Sequence, residues 1–497
     1  LQMKINFSHT LENTPTELLI PVAGLPVLEA MAPVIESSTA ISAELLKKDF
    51  RGDAGEIHTL YQNNKRIFLL GLGEKPALST IVKCFRKFSF KNKEKISSNI
   101  GISLLHNNAC EQFERHIEAM INGLLLGCYR IGRFKSEKGD LHPLEKKNSN
   151  IQIFIAQNLL SKAKKAAKKG QAFAETQLSI FDLVNAPSNK KLPSDLAKWA
   201  IKSGEKNGYS VKVFNKKEIE KLGLHALLAV NRGSEYPPTF LVMEYEPKSK
   251  GKKKCKTVGL VGKGVTFDTG GLSIKPSANM HLMKSDMGGA AAVFGAMELC
   301  AKLRLPIHLV GIVPATENSV DALAIKPSDV INSYSGKTIE IIDTDAEGRL
   351  ILADGLSYMV RHYKPDVLID LATLTGSAVR TFGYHAAGLF SNDDELAAKL
   401  YEASETCGEL VWRLPLWDVY KDDIKSDVAD VRNFSGRPLA GAIGAAKFLE
   451  VFTQDHPSWA HLDIAGVAFS DMEFSSQKSA TAFGVRLLME YLDLLSK

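Results

Sequence analysis

The chain has 497 residues, 45% of them hydrophobic and 24% charged, with a formal net charge of +6. These are ordinary globular values, which exclude a disordered chain and a collagen. No apolar run approaches the ~18 residues of a membrane span, which excludes a membrane bundle.

The length predicts roughly two to four domains. The charge is divided unevenly. Residues 1–170 hold 25 Lys and Arg against 16 Asp and Glu, whereas residues 171–497 hold 37 against 40, a split of +9 and −3. A basic first third reads either as an electrostatic footprint for nucleic acid or as a solvated face. Leu1 and Gln2 before Met3 read as a processing or cloning remnant.

In chain order, Arg66–Leu72 is a short apolar run that suits a strand. Cys110–Cys128 has helical spacing, and Asn150–Ala156 alternates with period two as a strand does. Strand, helix, strand predicts an α/β unit with a largely parallel sheet. Ser161–Gly170 opens a Lys-rich helix expected to run past Phe181, ended by the breaker cluster Asn185–Asn189. These signals predict an N-terminal domain over 1–165, a connecting helix over 166–190 and a second domain over 191–497. Lys248–Lys256 reads as a surface loop. Thr257–Val261 and Ile307–Val313 read as strands, Met287–Leu303 as a helix. Thr338–Ile342 reads as a further strand with an acidic turn after it, Leu350–His362 as a helix and Asp366–Leu371 as a strand. The expected fold is thus α/β with two domains, the larger one doubly wound around a mixed sheet. Its site belongs at the carboxyl ends of the strands.

Six cysteines, at 84, 110, 128, 255, 300 and 407, form no CxxC, and no secretory apolar segment precedes them. They read as reduced thiols of a cytosolic protein.

Acidic residues gather twice near predicted strand ends. Asp345 and Glu347 lie in Asp343–Arg349, and two extended residues two apart face the same side. Lys263, Asp268, Lys275 and Asp286 lie in and after Lys263–Gly271. Four carboxylates in one crevice suffice for two divalent cations that share ligands. Neither motif holds a His, and HExxH is absent. Neither GxGxxG, GxxxxGK[ST] nor GxSxG occurs at these glycines, which argues against phosphate binding and a serine nucleophile. Each Asp alone is also explained as an N-cap or surface residue, and Asp286 precedes a predicted helix, where a dipole favours it.

The order of the blocks narrows this. Asp343–Leu350 (DTDAEGRL), Val261–Leu272 (VGKGVTFDTGGL), Lys284–Ala290, Asp370–Ser377, Asp427–Asn433 and Trp459–Ala468 resemble the blocks of the leucyl aminopeptidase (cytosol aminopeptidase) family, and Leu183–Asn189 its linker motif. The likeness covers residues 180–490; the first 160 match only in size and α/β character. It implies a hydrolase releasing N-terminal residues from short peptides by attack of a water that bridges two metal ions, Zn²⁺ and/or Mn²⁺. By resemblance Lys263, Asp268, Asp286 and Glu347 hold the tighter ion. Asp268, Asp345 and Glu347 hold the exchangeable one, with help from the Asp345 carbonyl. Lys275 polarises the scissile carbonyl, and Arg349 holds a bicarbonate that acts as general base. Met283, Thr373, Gly376, Ala465 and Ala468 line the first side-chain pocket, with a backbone contact from Leu374. Such a wall predicts a preference for Leu or Met over Asp or Glu. The family also implies a cytoplasmic homohexamer. Asp343 stands where the family usually has Asn. Nucleic-acid binding by the basic first third, with Lys162, Lys164, Lys165, Lys168 and Lys169 clustered, is the alternative; a solvated helix face is favoured.

Overall fold

The computed structural model describes every residue except 1, 2, 12, 40, 63, 106–111, 138, 248–254 and 497. The chain forms two compact units that divide at Leu178/Ser179. Cys110 and most of the lysine run at 248–256 fall outside the described residues.

The first unit contains β1 (Lys4–Ser8), β2 (Glu17–Val22), α1 (Gly24–Thr39), α2 (Ala43–Asp49), β3 (Ile57–Gln62), β4 (Lys65–Gly71), α3 (Leu78–Lys91), β5 (Asn99–Ser103), α4 (Phe113–Leu126) and β6 (Asn150–Phe154). Its sheet runs β1-β6-β5-β2-β4-β3. Every pair is parallel except β3 with β4. The apolar run Ile67–Leu70 is buried in β4, and Phe68 meets Phe88 of α3 edge-on at 5.1 Å. The predicted strands at 66–72 and 150–156 are β4 and β6, and the helix predicted from 110 begins at Phe113 among the described residues.

Helix α5 (Leu160–Asn185) crosses the divide. Ala163, Ala166 and Ala167 are buried, while Lys162, Lys164, Lys165 and Lys168 are exposed. Lys169 pairs with Glu118 at 3.1 Å. The lysine run is therefore the outer face of an amphipathic helix.

The second unit continues with α6 (Pro193–Asn207), β7 (Ser210–Phe214), α7 (Lys216–Leu222), α8 (His225–Asn231), β8 (Thr239–Tyr245), β9 (Thr257–Gly262), β10 (Gly264–Asp268), α9 (Gly288–Leu303), β11 (His308–Asn318), β12 (Val330–Asn332) and β13 (Thr338–Glu340). Then follow α10 (Glu347–Tyr363), β14 (Val367–Ala372), α11 (Gly376–Phe382), β15 (Ala387–Ser391), α12 (Asp394–Cys407), β16 (Val411–Arg413), β17 (Val431–Arg432), α13 (Gly441–Glu450), β18 (Trp459–Asp463) and α14 (Val485–Leu495). The main sheet runs β16-β15-β18-β14-β9-β11-β8-β7, with β10 paired to β11. It is mixed: β9 lies parallel between β11 and β14, while β8 pairs antiparallel with β11 and β15 with β18. Central strands covered on both faces read as near-continuous apolar runs; β9 is one, and β14 is interrupted only by the buried Asp370, which accepts from Trp459 Nε1 at 2.8 Å.

Two expectations change. The stretch at 338–342 is a strand only to Glu340, and it belongs to a separate three-stranded sheet with β12 and β17, not to the main sheet. Asp345 and Glu347 are not extended neighbours: residues 343–346 turn, and Glu347 is the first residue of α10. The two side chains share a side because the chain bends into a helix.

Candidate metal centre

The ends of four main-sheet strands supply the site. Lys263 follows β9, Asp268 closes β10, Thr373 follows β14 and Asp463 closes β18. Lys263 is pinned by its backbone, its N–H donating to Leu371 O at 3.0 Å and its carbonyl accepting from Ala290 N at 2.9 Å. Its Nζ then meets Asp286 Oδ2 and Glu347 Oε1, each at 2.8 Å, and donates to Thr373 O at 3.0 Å. A Cβ on Gly348 would lie 2.6 Å from Lys263 Cε. Only glycine there leaves room for the lysine stem.

Lys275 Nζ pairs with Asp268 Oδ2 at 2.8 Å and with Asp345 Oδ1. Asp268 Oδ1 accepts from Gly270 N and from Asn318 Nδ2, both at 2.8 Å. Gly270 has φ +86°, and a Cβ there would lie 2.9 Å from Asp345 Oδ1. The glycine turn after Asp268 is thus what lets Asp345 approach. Thr373 Oγ1 donates to Asp286 Oδ1 at 2.8 Å.

Burial and mutual repulsion dominate the electrostatics. Asp345 is pushed up to about 7 by burial, then by Asp268 and Glu347, against the pull of Lys275. Burial also raises Asp286 and Glu347. Burial alone lowers both ammonium groups, but Asp286, Glu347 and Asp268 outweigh it at Lys263, and Asp268, Glu347, Asp345 and Asp286 outweigh it at Lys275, so both are held above the usual lysine value. Carboxylates crowded in a dry site need positive charge beside them.

The residues fit a divalent cation. Oxygens of Asp268, Asp286 and Glu347 lie within 4.8 Å of one another, and all three residues are buried. Glu347 Oε2 is buried without a hydrogen-bond partner. An orphaned carboxylate oxygen costs free energy unless a cation takes it. A set of carboxylate oxygens with one amine suits Mn²⁺ or Zn²⁺.

A cavity of about 410 Å³ opens over this cluster. Lys263, Asp268, Lys275, Met283, Asp286, Asp345, Glu347, Arg349, Thr373, Leu374, Gly376 and Ala465 all line it. Ala468 lies behind that wall: its Cβ is 2.9 Å from where a Cβ on Gly288 would project, beside the Thr373 methyl. Arg349 is buried, donates through Nη1 to Asn433 O at 2.7 Å and leaves Nε without a partner. Burial lowers it to about 10.

Sequence reasoning missed the residues that hold the others in place. Asp463 accepts from Thr375 Oγ1 at 2.7 Å and from Leu374 N at 3.2 Å, which fixes the 373–376 wall. Asn433 Oδ1 accepts from Ile342 N at 2.8 Å, and its Nδ2 donates to Asp343 O at 2.6 Å. Lys191 is fully buried and donates to Val184 O at 3.0 Å and to Lys284 O at 2.5 Å, just before Asp286. Asp463 and Asn433 lie inside the motif blocks Trp459–Ala468 and Asp427–Asn433, where a linear string shows them as residues but not as anchors. Arg380, Phe434 and Gly441 also line the cavity, and no local pattern marks them.

The family model of the cytosol aminopeptidase family, catalytic domain, matches residues 180–489, and that of the family's N-terminal domain matches 26–138. A probable cytosol aminopeptidase of Chloroherpeton thalassium is 43% identical over 503 residues, covering 97% of this chain and 98% of its own. One from Chlorobaculum tepidum is 46% identical over 461 residues, covering 89% and 90%. Among solved structures, a mutant of tomato leucine aminopeptidase superposes with TM-score 0.86 at 30% identity, over 99% of this chain and 96% of that one. The bottromycin maturation enzyme BotP in complex with Mn superposes with TM-score 0.81 at 33% identity, over 97% and 99%.

Proposed function

From the premise that the chain belongs to the cytosol aminopeptidase family, we propose that it releases Leu- and Met-type residues from the N-termini of short peptides. Membership makes it a peptidase hydrolase, a metal-dependent aminopeptidase of a dinuclear family. The observation that carries the reading is the convergence of Asp268, Asp286 and Glu347, with one Glu347 oxygen left without a donor.

In this reading Lys263, Asp268, Asp286 and Glu347 hold the tighter ion and Asp268, Asp345 and Glu347 the exchangeable one, with Zn²⁺ and/or Mn²⁺ as the pair. Lys263 must shed its proton to become a ligand. When bound, the two cations supply Lewis acidity to a water and to the substrate's neutral amine, which restricts cleavage to N-terminal residues. Lys275 keeps its charge in a mostly buried place and offers it to the oxygen of the developing tetrahedral centre. Arg349, with its Nε unengaged, would hold a bicarbonate, and that anion would supply a general base beside the metal centre. Leu374 gives its N–H to Asp463, so the contact it offers a substrate is its carbonyl. Met283, Thr373, Gly376 and Ala465, backed by Ala468, form an apolar wall for the first side chain, and an acidic side chain packed against it loses hydration.

The test is Leu-anilide turnover by purified protein before and after exhaustive chelation. We expect loss of activity and its return with Mn²⁺ or Zn²⁺; full activity after chelation overturns the reading. Leu-anilide should be preferred to Glu-anilide by at least about tenfold in kcat/KM, and equal turnover would remove the apolar-pocket assignment. We read the protein as a cytoplasmic homohexamer, for which light scattering at several concentrations is the check. Among the described residues no helix is long and apolar enough to cross a membrane.

A further inference from the structure

Four cations line the cavity: Lys263, Lys275, Arg349 and Arg380. Three are already answered. Lys263 is held by Asp286 and Glu347, Lys275 by Asp268 and Asp345, and Arg349 gives Nη1 to the Asn433 carbonyl. The side chain of Arg380 makes no ion pair and no hydrogen bond among the described residues. It lies on α11 one turn after Gly376, and residues four apart share a helix face. Its Nη1 comes within 3.5 Å of where a Cβ on Gly376 would project. Gly376 and Arg380 are both exposed, so the guanidinium lies at the outer rim of the wall, beside the mouth of the cavity it lines.

The acids of the metal centre repel a second negative group, whereas a free guanidinium presents a fork that matches a carboxylate. A short peptide bound by its amine at the acidic cluster carries its own carboxylate about 7 Å further along for each two extended residues. A cavity of about 410 Å³ is of the size that encloses a ligand of this length.

Resting on the aminopeptidase reading, we propose that Arg380 is an anion subsite of the cavity that takes a carboxylate of the substrate and so selects very short, free-acid peptides. The carboxylate has two sources, the C-terminus of a dipeptide or an acidic side chain after the cleaved residue.

The experiment compares wild type, Arg380→Ala and Arg380→Lys on Leu-Leu, Leu-Leu-amide, Leu-Glu-amide and Leu-Gln-amide. In wild type the KM for Leu-Leu should lie about tenfold below that for Leu-Leu-amide, the size of one charge-assisted contact. Arg380→Ala should close most of that gap by raising KM on the acid, with kcat moving much less, and Arg380→Lys should restore part of it. A gap between Leu-Glu-amide and Leu-Gln-amide that closes in the same variant assigns the subsite to the side-chain carboxylate. The proposal is overturned if wild type shows neither gap, or if Arg380→Ala raises KM by the same factor on acids and amides. Failure of the underlying reading looks different: no dipeptide or amide is cleaved by any of the three proteins.

Discussion

Asp343 and Asp345 stand two residues apart and have different surroundings. Asp343 Oδ1 accepts from Asp345 N at 2.8 Å, so its carboxylate closes the turn that presents Asp345. An Asn amide oxygen accepts the same bond, and so Asp343→Asn, which restores the residue usual in the family, should leave stability within about 0.5 kcal/mol. Asp343→Ala removes the acceptor and should cost about 1 kcal/mol in urea unfolding; equal stability of the two variants would contradict this role. Lys191 is a different case. A lysine is rarely buried without an acid partner, and burial, then Lys284, lowers it to about 7 against the pull of Asp286. Its two carbonyl bonds tie the end of α5 to the segment that carries Met283 and Asp286. Lys191→Met trades those bonds for relief of a buried cation, so stability should change by no more than about 1–2 kcal/mol. Metal retention, followed by dialysis against a chelator, should weaken more clearly, and retention equal to wild type would show that the tie is dispensable. Neither role was readable from the sequence, because both depend on which carbonyl or N–H a side chain meets after folding.

Regular elements followed from local pattern where that pattern was strong. Helix α5 follows its Ala and Lys periodicity up to Asn185, and β9 follows its β-branched run. The 338–347 region did not, because several of its residues are fixed by partners about ninety positions away: Ile342 N donates to Asn433 Oδ1, and Ile339 and Glu340 of β13 pair with β17. Helix α10 shows the same dependence. Asp354, in its middle, accepts from Leu227 N of α8 at 3.0 Å and from Tyr334 N after β12 at 2.7 Å. Burial raises this carboxyl from 3.8 to about 7, with those backbone donors opposing. Between about pH 4 and pH 7 the unfolded chain has lost this proton and the folded chain keeps it. Stability from this group is therefore present at low pH, falls as pH rises through that window and levels off above it. Asp354→Asn should flatten that part of the pH profile. It should also cost about 1–3 kcal/mol in urea, since an amide NH₂ would then face a backbone N–H. An unchanged pH slope in the variant would assign the slope to other groups.

At the scale of the molecule, the charge asymmetry bears on partners and not on the reaction, for the clustered acids that the site uses all lie in the second unit. The exposed lysines of α5 ring a helix whose alanines face inward. We expect no retardation of duplex DNA by the protein at physiological ionic strength, in a gel-shift titration across salt. A complex whose affinity falls steeply with salt would instead establish phosphate contacts. Replacing Lys162, Lys164, Lys165 and Lys168 together by Gln should leave aminopeptidase turnover intact and change stability by less than about 1 kcal/mol, as surface substitutions do.

The sequence by itself determined the two-domain α/β plan, the placing of Asp268 at a strand end and, through its ordered motif blocks, the family. Apolar periodicity and runs of short motifs are local, and local information survives in a linear string. Only the tertiary structure decided that Asp345 and Glu347 meet through a turn into α10 and not along a strand, that Asp463, Asn433 and Lys191 position the wall and the acids, and that Arg380 lines the cavity without an acidic partner. Those facts depend on chain segments about 90 residues apart arriving at one crevice, and on which polar groups burial leaves answered or unanswered.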